Sequence, residues 1–197
     1  MRSEIEDIVV MDVETTGGSP DEHRVIEVAA VRLRAGKVHR KLSTLVKPRR
    51  SLPLFITELT GITPAMLKDA PSFNDVAGLF WDFMSTAIFC AQNASFDVRF
   101  LRYEFKRWGA IPTPLENDAP ILCTMKLGRR LFPNWPNHKL DTIARGLKLK
   151  FTDRHRALGD AMVTAQIMAR YIKRMRRQGI TDLDEILKLQ RSRIPRK

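Results

Sequence analysis

The decisive stretch for the fold of this chain is MDVETTG at residues 11–17, which follows the apolar run IVV at residues 8–10. The apolar run predicts a buried β-strand that ends in charge. Because side chains alternate between the two faces of a strand, Asp12 and Glu14 are expected to share one face, with Met11 and Val13 facing a core on the other. Two like charges held side by side repel each other, so their placement needs a reason.

The length and composition of the chain favour one compact domain, with 197 residues of which 44% are hydrophobic. No apolar run approaches the roughly 18 residues of a membrane span, and the N-terminus carries Glu4, Glu6 and Asp7 where a signal peptide would be basic and then apolar. We therefore expect a cytoplasmic protein without a membrane partner. Cys90 and Cys123 lie in apolar runs without a CxxC partner, which predicts buried, reduced thiols.

The net charge of +12 is concentrated near the C-terminus. Residues 170–197 hold ten Lys or Arg against Asp182, Asp184 and Glu185, so that ten minus three gives +7, and the preceding 169 residues carry only +5. This distribution is compatible with a polyanionic partner such as nucleic acid. Taken alone, the charge is explained equally well by a solvated helix face.

Two long strand-like segments, residues 25–34 and 37–47, flank Ala35-Gly36 and predict a β-hairpin beside the first strand. Glu27 lies within this hairpin and has two readings, as a third acidic ligand or as a partnered structural residue. We favour the structural role, because a lone acid in a strand is more often paired than catalytic.

The remainder of the chain is predicted to alternate between helices and short strands. One helix is predicted to end and another to begin around Gly61 and Pro64, and the longest helix is predicted to end near Gly179. Between them the sequence predicts a capping box, a short buried strand, an edge strand and two shorter helices. The predicted positions are Ser72 and Asp75 for the capping box, residues 87–91 and 120–123 for the strands, a helix from the cap Asn93 to Trp108, helices at 124–132 and 138–147, a last helix capped by Thr181 and Asp184, and a frayed tail at 191–197.

Strands that alternate with helices after a hairpin indicate an α/β domain with a mixed sheet, and sites in such folds lie beyond the carboxyl ends of parallel strands. Asp12, Glu14 and Asp97 occupy such positions, and Asp160 opens the longest helix. Four carboxylates in one cleft would repel one another and raise one another's pKa unless cations lay between them. Without Cys or clustered His, the ligand set suits Mg²⁺ or Mn²⁺.

Two such ions about 3.5 to 4 Å apart stabilise the attacking and leaving oxygens of an in-line displacement at phosphorus, so phosphodiester hydrolysis is the natural chemistry. The reaction also needs a group that takes the proton from the attacking water. His155 lies on a loop five residues before Asp160, and an ordinary imidazole pKa of about 6.5 suits this task. His23, His39 and His138 lack an adjacent acidic motif and are interpreted as surface or capping residues.

Three motifs in order resemble the DEDDh group of 3'-to-5' exonucleases, the DnaQ-like family that includes proofreading subunits of bacterial replicative polymerases. They are DVETTG at residues 12–17, NASFD at 93–97 and HRALGDA at 155–161. The segments VIEVAAV at 25–31, LTGIT at 59–63 and KLDTIA at 139–144 are also similar to family segments. The resemblance covers residues 8 to about 173. Each motif alone is a weak pattern, whereas the ordered set is a strong one.

The resemblance implies a ribonuclease H-like fold, a five-stranded mixed sheet flanked by helices. It implies a cofactor of two divalent cations, Mg²⁺ or Mn²⁺. It assigns metal binding to Asp12, Glu14, Asp97 and Asp160 and the role of general base to His155, which together form the expected catalytic set.

The resemblance also places substrate contacts, through backbone and hydroxyl groups at Thr15 and Thr16 and beside the last base at Leu59 and Phe96. The expected activity is 3'-to-5' hydrolysis of single-stranded or frayed DNA that releases nucleoside 5'-monophosphates. The alternatives are trimming of RNA ends and an inactive module that binds nucleic acid or a polymerase. The intact acidic set and His155 argue against the inactive module.

Two residues depart from the family pattern. Gln92 stands where many members have His before the Asn, and Cys123 stands where many have Asp before the Thr. These departures affect the expected substrate preference and local hydrogen bonding. We expect residues 1–178 to form the exonuclease domain and residues 179–197 a short basic C-terminal helix and tail, with a DNA polymerase subunit as a potential partner.

Overall fold

The computed structural model describes residue 5 and residues 7–194, so the predictions that involve Glu4, Glu6 and residues 195–197 lie outside the described residues. Within that range the strands are β1 (Asp7–Thr15), β2 (Val25–Arg34), β3 (Lys37–Leu45), β4 (Ile88–Ala91) and β5 (Ile121–Cys123). They form one five-stranded sheet in the order β3-β2-β1-β4-β5. β1 pairs antiparallel with β2 and parallel with β4, which confirms the predicted mixed sheet.

The side chains of β1 alternate between two helical layers as predicted. Ile8 and Val10 pack into one hydrophobic cluster, whereas Met11 and Val13 pack into the other. Asp12 and Glu14 continue the face of Ile8 and Val10. That face is covered by the layer that contains the longest helix, so the two carboxylates point towards this helix.

The helices lie on both faces of the sheet. One layer contains α3 (Phe73–Met84) and α4 (Ala94–Trp108), and the other contains α5 (Thr124–Leu131), α6 (Leu140–Gly146), α7 (Ala157–Arg177) and α8 (Leu183–Arg191). The short helices α1 (Leu54–Thr60) and α2 (Pro64–Lys68) connect β3 to the first layer, and a 3₁₀ turn spans Thr113–Leu115. None of the helices in the described part of the chain is long and apolar enough to cross a membrane.

Local sequence signals fix several helix ends as predicted. Gly61 adopts a left-handed conformation with φ of 72° after α1, and the hydroxyl of Thr63 accepts a hydrogen bond from Met66 N–H at the start of α2. The carboxylate of Asp75 accepts from the backbone N–H of Ser72 at 2.8 Å, which completes a capping box before α3. The hairpin turn at Ala35 and Gly36 has positive φ at both residues.

One predicted cap is confirmed in position only, and another was wrong. Asn93 is the N-cap residue of α4, but its side chain makes no capping hydrogen bond and accepts from the hydroxyl of Ser95 instead. The last helix is capped by Asp182, whose carboxylate accepts from Glu185 N–H at 2.9 Å, instead of by Thr181 and Asp184. The motif Asp182-x-x-Glu185 is offset from Thr181-x-x-Asp184 by one residue, and the carboxylate is the stronger acceptor for helix N–H groups.

Helix α8 protects the open edge of the sheet. The amide of Gln190 accepts from Cys123 N–H at 2.7 Å and donates to the carbonyl of Ile121 at 3.0 Å, so it pairs with β5 as a further strand would. The buried side chains of Ile186 and Leu187 join the core. Cys90 and Cys123 are buried free thiols, as predicted.

Candidate active site

Three of the predicted carboxylates meet at the end of β1. Oxygen atoms of Asp12, Glu14 and Asp160 lie within 4.8 Å of one another, an arrangement that can hold a metal ion. Two of them come from one face of β1, and Asp160 comes from the first turn of α7, which packs on that face. The strand alternation and the helix start therefore act together to build the cluster.

Asp97 lies beside this cluster but outside the group of three. Its helix, α4, packs on the opposite face of the sheet, so its carboxylate approaches Asp12 from the other side. β4 pairs with β1 only as far as Val10, and the N–H of Val13 instead hydrogen-bonds to Asp97. After burial, the charge of Asp97 contributes most to the raised pKa of Asp12, ahead of the charges of Glu14 and Asp160.

The electrostatics of the site demand a positive partner. Burial first, and then the charges of the neighbouring carboxylates, raise the pKa of Asp12 well above its usual range. Burial raises the pKa of Glu14 to about 8, of Asp97 to about 7 and of Asp160 to about 6. In addition, Oδ1 of Asp160 is buried without a hydrogen-bond partner. An unpaired buried oxygen in a cluster of hard oxygen donors fits a divalent cation.

Arg154 supplies part of the missing charge within the protein. Its guanidinium donates to Oδ2 of Asp160 and makes two bonds to Asp141, at 2.8 and 3.0 Å. It also lies 3.3 Å from Nδ1 of His155. This role could not be predicted from the sequence, because Arg154 lies outside the motifs in a loop that shows only general polarity.

Glu27 is confirmed as a partnered structural residue. It is buried on β2 and accepts from Arg156 at 2.7 Å and from the first N–H of α7, that of Ala157, at 2.8 Å. An anion at the N-terminus of α7 satisfies an otherwise free N–H and interacts favourably with the helix dipole. Glu27 thereby fixes the turn of α7 that carries Asp160.

The loop before α7 is pressed against the helix at Gly159. A Cβ atom on Gly159 would lie 1.8 Å from the backbone oxygen of Asp153, a distance that requires the backbone to move. His155 adopts a left-handed backbone conformation with φ of 60° in the same loop. The close approach at Gly159 therefore holds His155 near the start of α7. In the sequence, Gly159 is one position of the third motif, and no local pattern predicts its close approach to the loop.

Replacing Gly159 by alanine is expected to displace this loop and to lower any catalytic turnover at the site by about tenfold or more, because misplacement of a reacting group by about 1 Å can cost far more than that. The helix itself tolerates alanine better than glycine, so helix content should be retained. Circular dichroism and turnover measured together test this. The matched control is Gly78→Ala in α3, where a Cβ atom meets no neighbour within 4 Å. Equal turnover in both variants would contradict the positioning role.

The residues predicted to contact substrate differ in burial and in their hydrogen bonds. The hydroxyl of Thr15 donates to the carbonyl of Gly17 at 2.6 Å, and the fully buried hydroxyl of Thr16 accepts from Arg24 N–H at 3.0 Å and contacts the ring of His23 at 3.2 Å. Both hydroxyls are thus engaged inside the loop. Residue Leu59 is 50% exposed on α1, and Phe96 is partly buried beside Phe100. His23, interpreted from the sequence as a surface or capping residue, is partly buried and contacts Thr16, and it caps no helix.

The two departures from the family pattern share one hydrogen-bond network. Gln92 donates to the carbonyl of His138 at 3.0 Å and accepts from the hydroxyl of Thr124. The thiol of Cys123 donates to the carbonyl of Gln92 at 3.3 Å. The network joins the end of β4 to the start of α5.

The stability of the protein without cations is expected to fall as the pH rises from about 4 to about 8. The unfolded chain has acidic pKa values near 4, whereas burial raises that of Glu14 to about 8 and that of Asp97 to about 7. The native protein therefore holds more protons than the unfolded chain in this window, and the free energy of unfolding decreases with pH. Thermal denaturation in chelator at several pH values measures this slope.

A cation that binds the folded cluster should reverse this loss. At about one hundred times its dissociation constant, it would add about 2.7 kcal/mol to the free energy of unfolding. The gain should be larger at pH 8 than at pH 5, because protons compete for the same oxygens. A melting temperature that is independent of Mg²⁺ and Mn²⁺ at pH 8 would contradict the cation site.

Comparison with known proteins identifies one family. The sequence profile of the RNase T exonuclease family matches residues 9–168. The PolC-type DNA polymerase III of Bacillus subtilis is 38% identical over 183 residues, which cover 93% of this chain and 12% of the polymerase. The 3'-5' exonuclease DinG of the same organism is 34% identical over 183 residues, 92% of this chain and 19% of that protein. The chain thus spans only a small part of these relatives.

Solved structures agree with the fold. Exonuclease X, in complex with 5'-overhanging duplex DNA, is 28% identical with a TM-score of 0.72, covering 93% of this chain and 99% of that one. Exonuclease I of E. coli, in complex with a dT13 oligonucleotide, superposes with a TM-score of 0.76 at 20% identity, covering 88% of this chain and 42% of that one. The second likeness concerns the fold alone.

Proposed function

Because this chain belongs to the RNase T exonuclease family, of the DnaQ-like type, we propose that it is a cation-dependent 3'-to-5' exonuclease. The proposed substrate is the 3' end of single-stranded or frayed DNA, and the proposed products are nucleoside 5'-monophosphates. The named relatives and the exonuclease X complex with DNA support this choice. Residues 1–178 would form the exonuclease domain and residues 179–197 its C-terminal helix and tail.

One observation carries the proposal. Asp12, Glu14 and Asp160 converge within 4.8 Å, and the buried Oδ1 of Asp160 has no partner. A cluster of this kind is costly for a protein that only binds nucleic acid, because each buried carboxylate opposes ionisation of its neighbours. Divalent cations offset that cost, which favours a catalytic site over an inactive module.

The proposed cofactor is a pair of divalent cations, Mg²⁺ or Mn²⁺, held by Asp12, Glu14, Asp97 and Asp160. Bound cations of this kind supply charge stabilisation at the attacking and leaving oxygens of a phosphodiester. Asp12 would be a central ligand of this set, because the charges of Asp97, Glu14 and Asp160 all act on its carboxylate.

His155 is proposed as the general base. Burial, and then the charge of Arg154, hold the pKa of His155 below its usual range. The imidazole is therefore neutral at pH 7, the state in which a histidine can accept a proton from water once a ring nitrogen is free. Backbone groups of Thr15 and Thr16, with the side chains of Leu59 and Phe96, are proposed to position the terminal nucleotide.

The test uses DNA and RNA oligomers labelled at the 5' or the 3' end, with Mg²⁺, with Mn²⁺ and with chelator. The expected result is stepwise shortening of 5'-labelled DNA, release of a labelled mononucleotide from the 3' end, and loss of both in chelator. Faster shortening of RNA would reassign the substrate. Absence of cation-dependent shortening of any oligomer would remove the enzyme assignment.

Association with a DNA polymerase is proposed from the PolC-type relatives, in which the matching segment is part of a polymerase chain. Co-purification of the chain with a replicative polymerase subunit from the source cell is the direct measurement. An exonuclease that remains free of polymerase in that experiment would contradict this partner, while its activity would stand.

A further inference from the structure

A basic cleft lies beside the loop that ends β1. It encloses about 440 Å³, within the range of roughly 300–1,000 Å³ that is typical of ligand pockets. Basic side chains from three separate segments of the chain line it, and we call this set the basic cleft: Arg24, Lys47, Arg49, Arg50 and Arg107. The cleft is outside the three sequence motifs and outside the carboxylate cluster.

The basic cleft is joined directly to the candidate active site. Val25 lines the cleft and is the β-sheet partner of Thr15. The carbonyl of Arg24 accepts from Thr16 N–H at 2.9 Å, and the N–H of Arg24 donates to the Thr16 hydroxyl at 3.0 Å. A ligand that leaves the Thr15–Gly17 loop on this side therefore reaches the cleft.

Most of the positive charge in the cleft is not neutralised by acids. The guanidinium of Arg24 donates to two backbone carbonyls, at 3.1 and 2.7 Å, and Nζ of Lys47 donates to a third at 2.7 Å. Carbonyl partners fix these side chains without removing their charge. Arg49 and Arg50 are exposed, and neither forms an ion pair with any residue of the described range.

Glu104 is the one carboxylate among the lining residues of the cleft. It is 7% exposed, accepts from Val25 N–H at 3.4 Å and lies 3.6 Å from Nη1 of Arg107. It therefore supports the wall of the cleft and offsets a single positive charge. Four of the five cations remain available to an anion, a pattern that fits a ligand with repeated charges.

We propose that the basic cleft binds phosphates of the nucleic-acid strand at a distance of some nucleotides from the bond that is cut. This inference rests on the proposed exonuclease function. The carboxylate cluster repels a polyanion, so attraction for the strand must come from cations nearby. A row of guanidinium and ammonium groups beside the Thr15–Gly17 loop provides that attraction for a single strand.

A second basic surface lies on α7 and serves as the comparison. Lys173 and Arg177 line a groove with Lys37, at the turn that joins β2 to β3. This turn is at the opposite end of β2 from Val25, and Lys173 is roughly 20 Å along α7 from Asp160 at 1.5 Å per residue. A strand that enters the carboxylate cluster would have to pass the length of the sheet to reach it.

The experiment compares two variants that each lose two positive charges: Arg49→Ala with Arg50→Ala, and Lys173→Ala with Arg177→Ala. All four side chains are exposed, so both variants should keep the wild-type melting temperature. Fluorescence anisotropy of labelled DNA oligomers of different lengths, in chelator and over a salt series, measures binding without cleavage. In the first variant the salt slope for a long oligomer should fall by about 1.4, which corresponds to roughly 25-fold weaker binding near 0.1 M salt.

The second variant should bind the long oligomer within about threefold of wild type, and a trimer should bind both variants alike. Equal weakening by the two variants would show a general effect of net charge and overturn the proposal. The proposal would also be overturned if a poly-glutamate peptide competed as well as an oligonucleotide of equal charge. Displacement of the long oligomer by a nucleoside monophosphate would overturn it too. The wild-type protein could cleave no oligomer while the two variants still differ in binding. In that case the binding role of the basic cleft stands and the exonuclease assignment fails.

Discussion

Replacement of Asp12 by asparagine is expected to abolish cation-dependent cleavage and to leave the cation-free protein as stable as wild type or more stable. Burial first, and then the charges of Asp97, Glu14 and Asp160, raise the pKa of Asp12. Asparagine removes one negative charge from the cluster and keeps the shape of the side chain. The loss of this ligand should lower turnover by at least about 10³-fold, comparable to the loss of a major electrostatic contribution to catalysis.

The sign of the stability change follows from the pKa shift. An acid whose pKa is raised on folding opposes folding at any pH above its unfolded value of about 4. Removal of Asp12 should therefore raise the melting temperature in chelator at pH 8, with little effect at pH 4. Titration calorimetry should show weaker binding of Mg²⁺ or Mn²⁺ at the same time.

The matched control is Asp118→Asn, at an exposed position in the loop before β5. This variant should retain turnover, cation affinity and melting temperature. A large fall in melting temperature for Asp12→Asn in chelator at pH 8 would show that the carboxylate stabilises the fold, which would contradict the cation site. Asp160→Asn is less suitable, because it also removes one of the two carboxylate partners of Arg154.

The sheet and the main acidic residues could be predicted because their signals are local. Alternation along β1 fixes the face of Asp12 and Glu14 once Met11 and Val13 are buried. Capping and turn residues such as Ser72 and Gly61 act within four residues of their partners. The five-stranded mixed sheet followed from the family resemblance and from the order of strands and helices.

The contacts that orient the site could not be predicted because they join distant parts of the chain. The ion pair between Glu27 and Arg156 spans 129 residues, and neither partner shows a pattern that reveals the other. The placement of Asp97 depends on β4 ending its pairing with β1 at Val10. A register of this kind is set by packing and not by the residues of the motif.

The distribution of charge shows the same limit. A count along the sequence directs attention to residues 170–197, which carry more than half of the net charge. Folding instead gathers Arg24, Lys47 and Arg107 from three distant segments into one cleft beside the predicted nucleotide loop. Charge density along the chain therefore does not locate the basic cleft, which forms only when these segments come together in the folded protein.

Replacement of His155 by alanine is expected to lower turnover by about 10²- to 10⁴-fold, the usual contribution of a general base, while cation binding persists. Titration calorimetry measures whether the variant still binds the cation. His39→Ala, on the exposed strand β3, is the matched control and should keep full turnover. Unchanged turnover in the His155 variant would reject the base assignment, and loss of cation binding would indicate a structural role.

The contact between Arg154 and His155 sharpens this prediction. A guanidinium only donates hydrogen bonds, so Nδ1 of His155 accepts from Arg154 at 3.3 Å and the ring proton of neutral His155 resides on Nε2. In this arrangement Nε2 cannot accept a proton until Arg154 releases Nδ1. Arg154→Met should therefore free the imidazole and, by removing a positive charge, raise the pKa of His155 from its lowered value. The acidic limb of the pH profile of kcat should move to higher pH in this variant and vanish in His155→Ala. An acidic limb that stays in place in both variants would assign the proton transfer to another group.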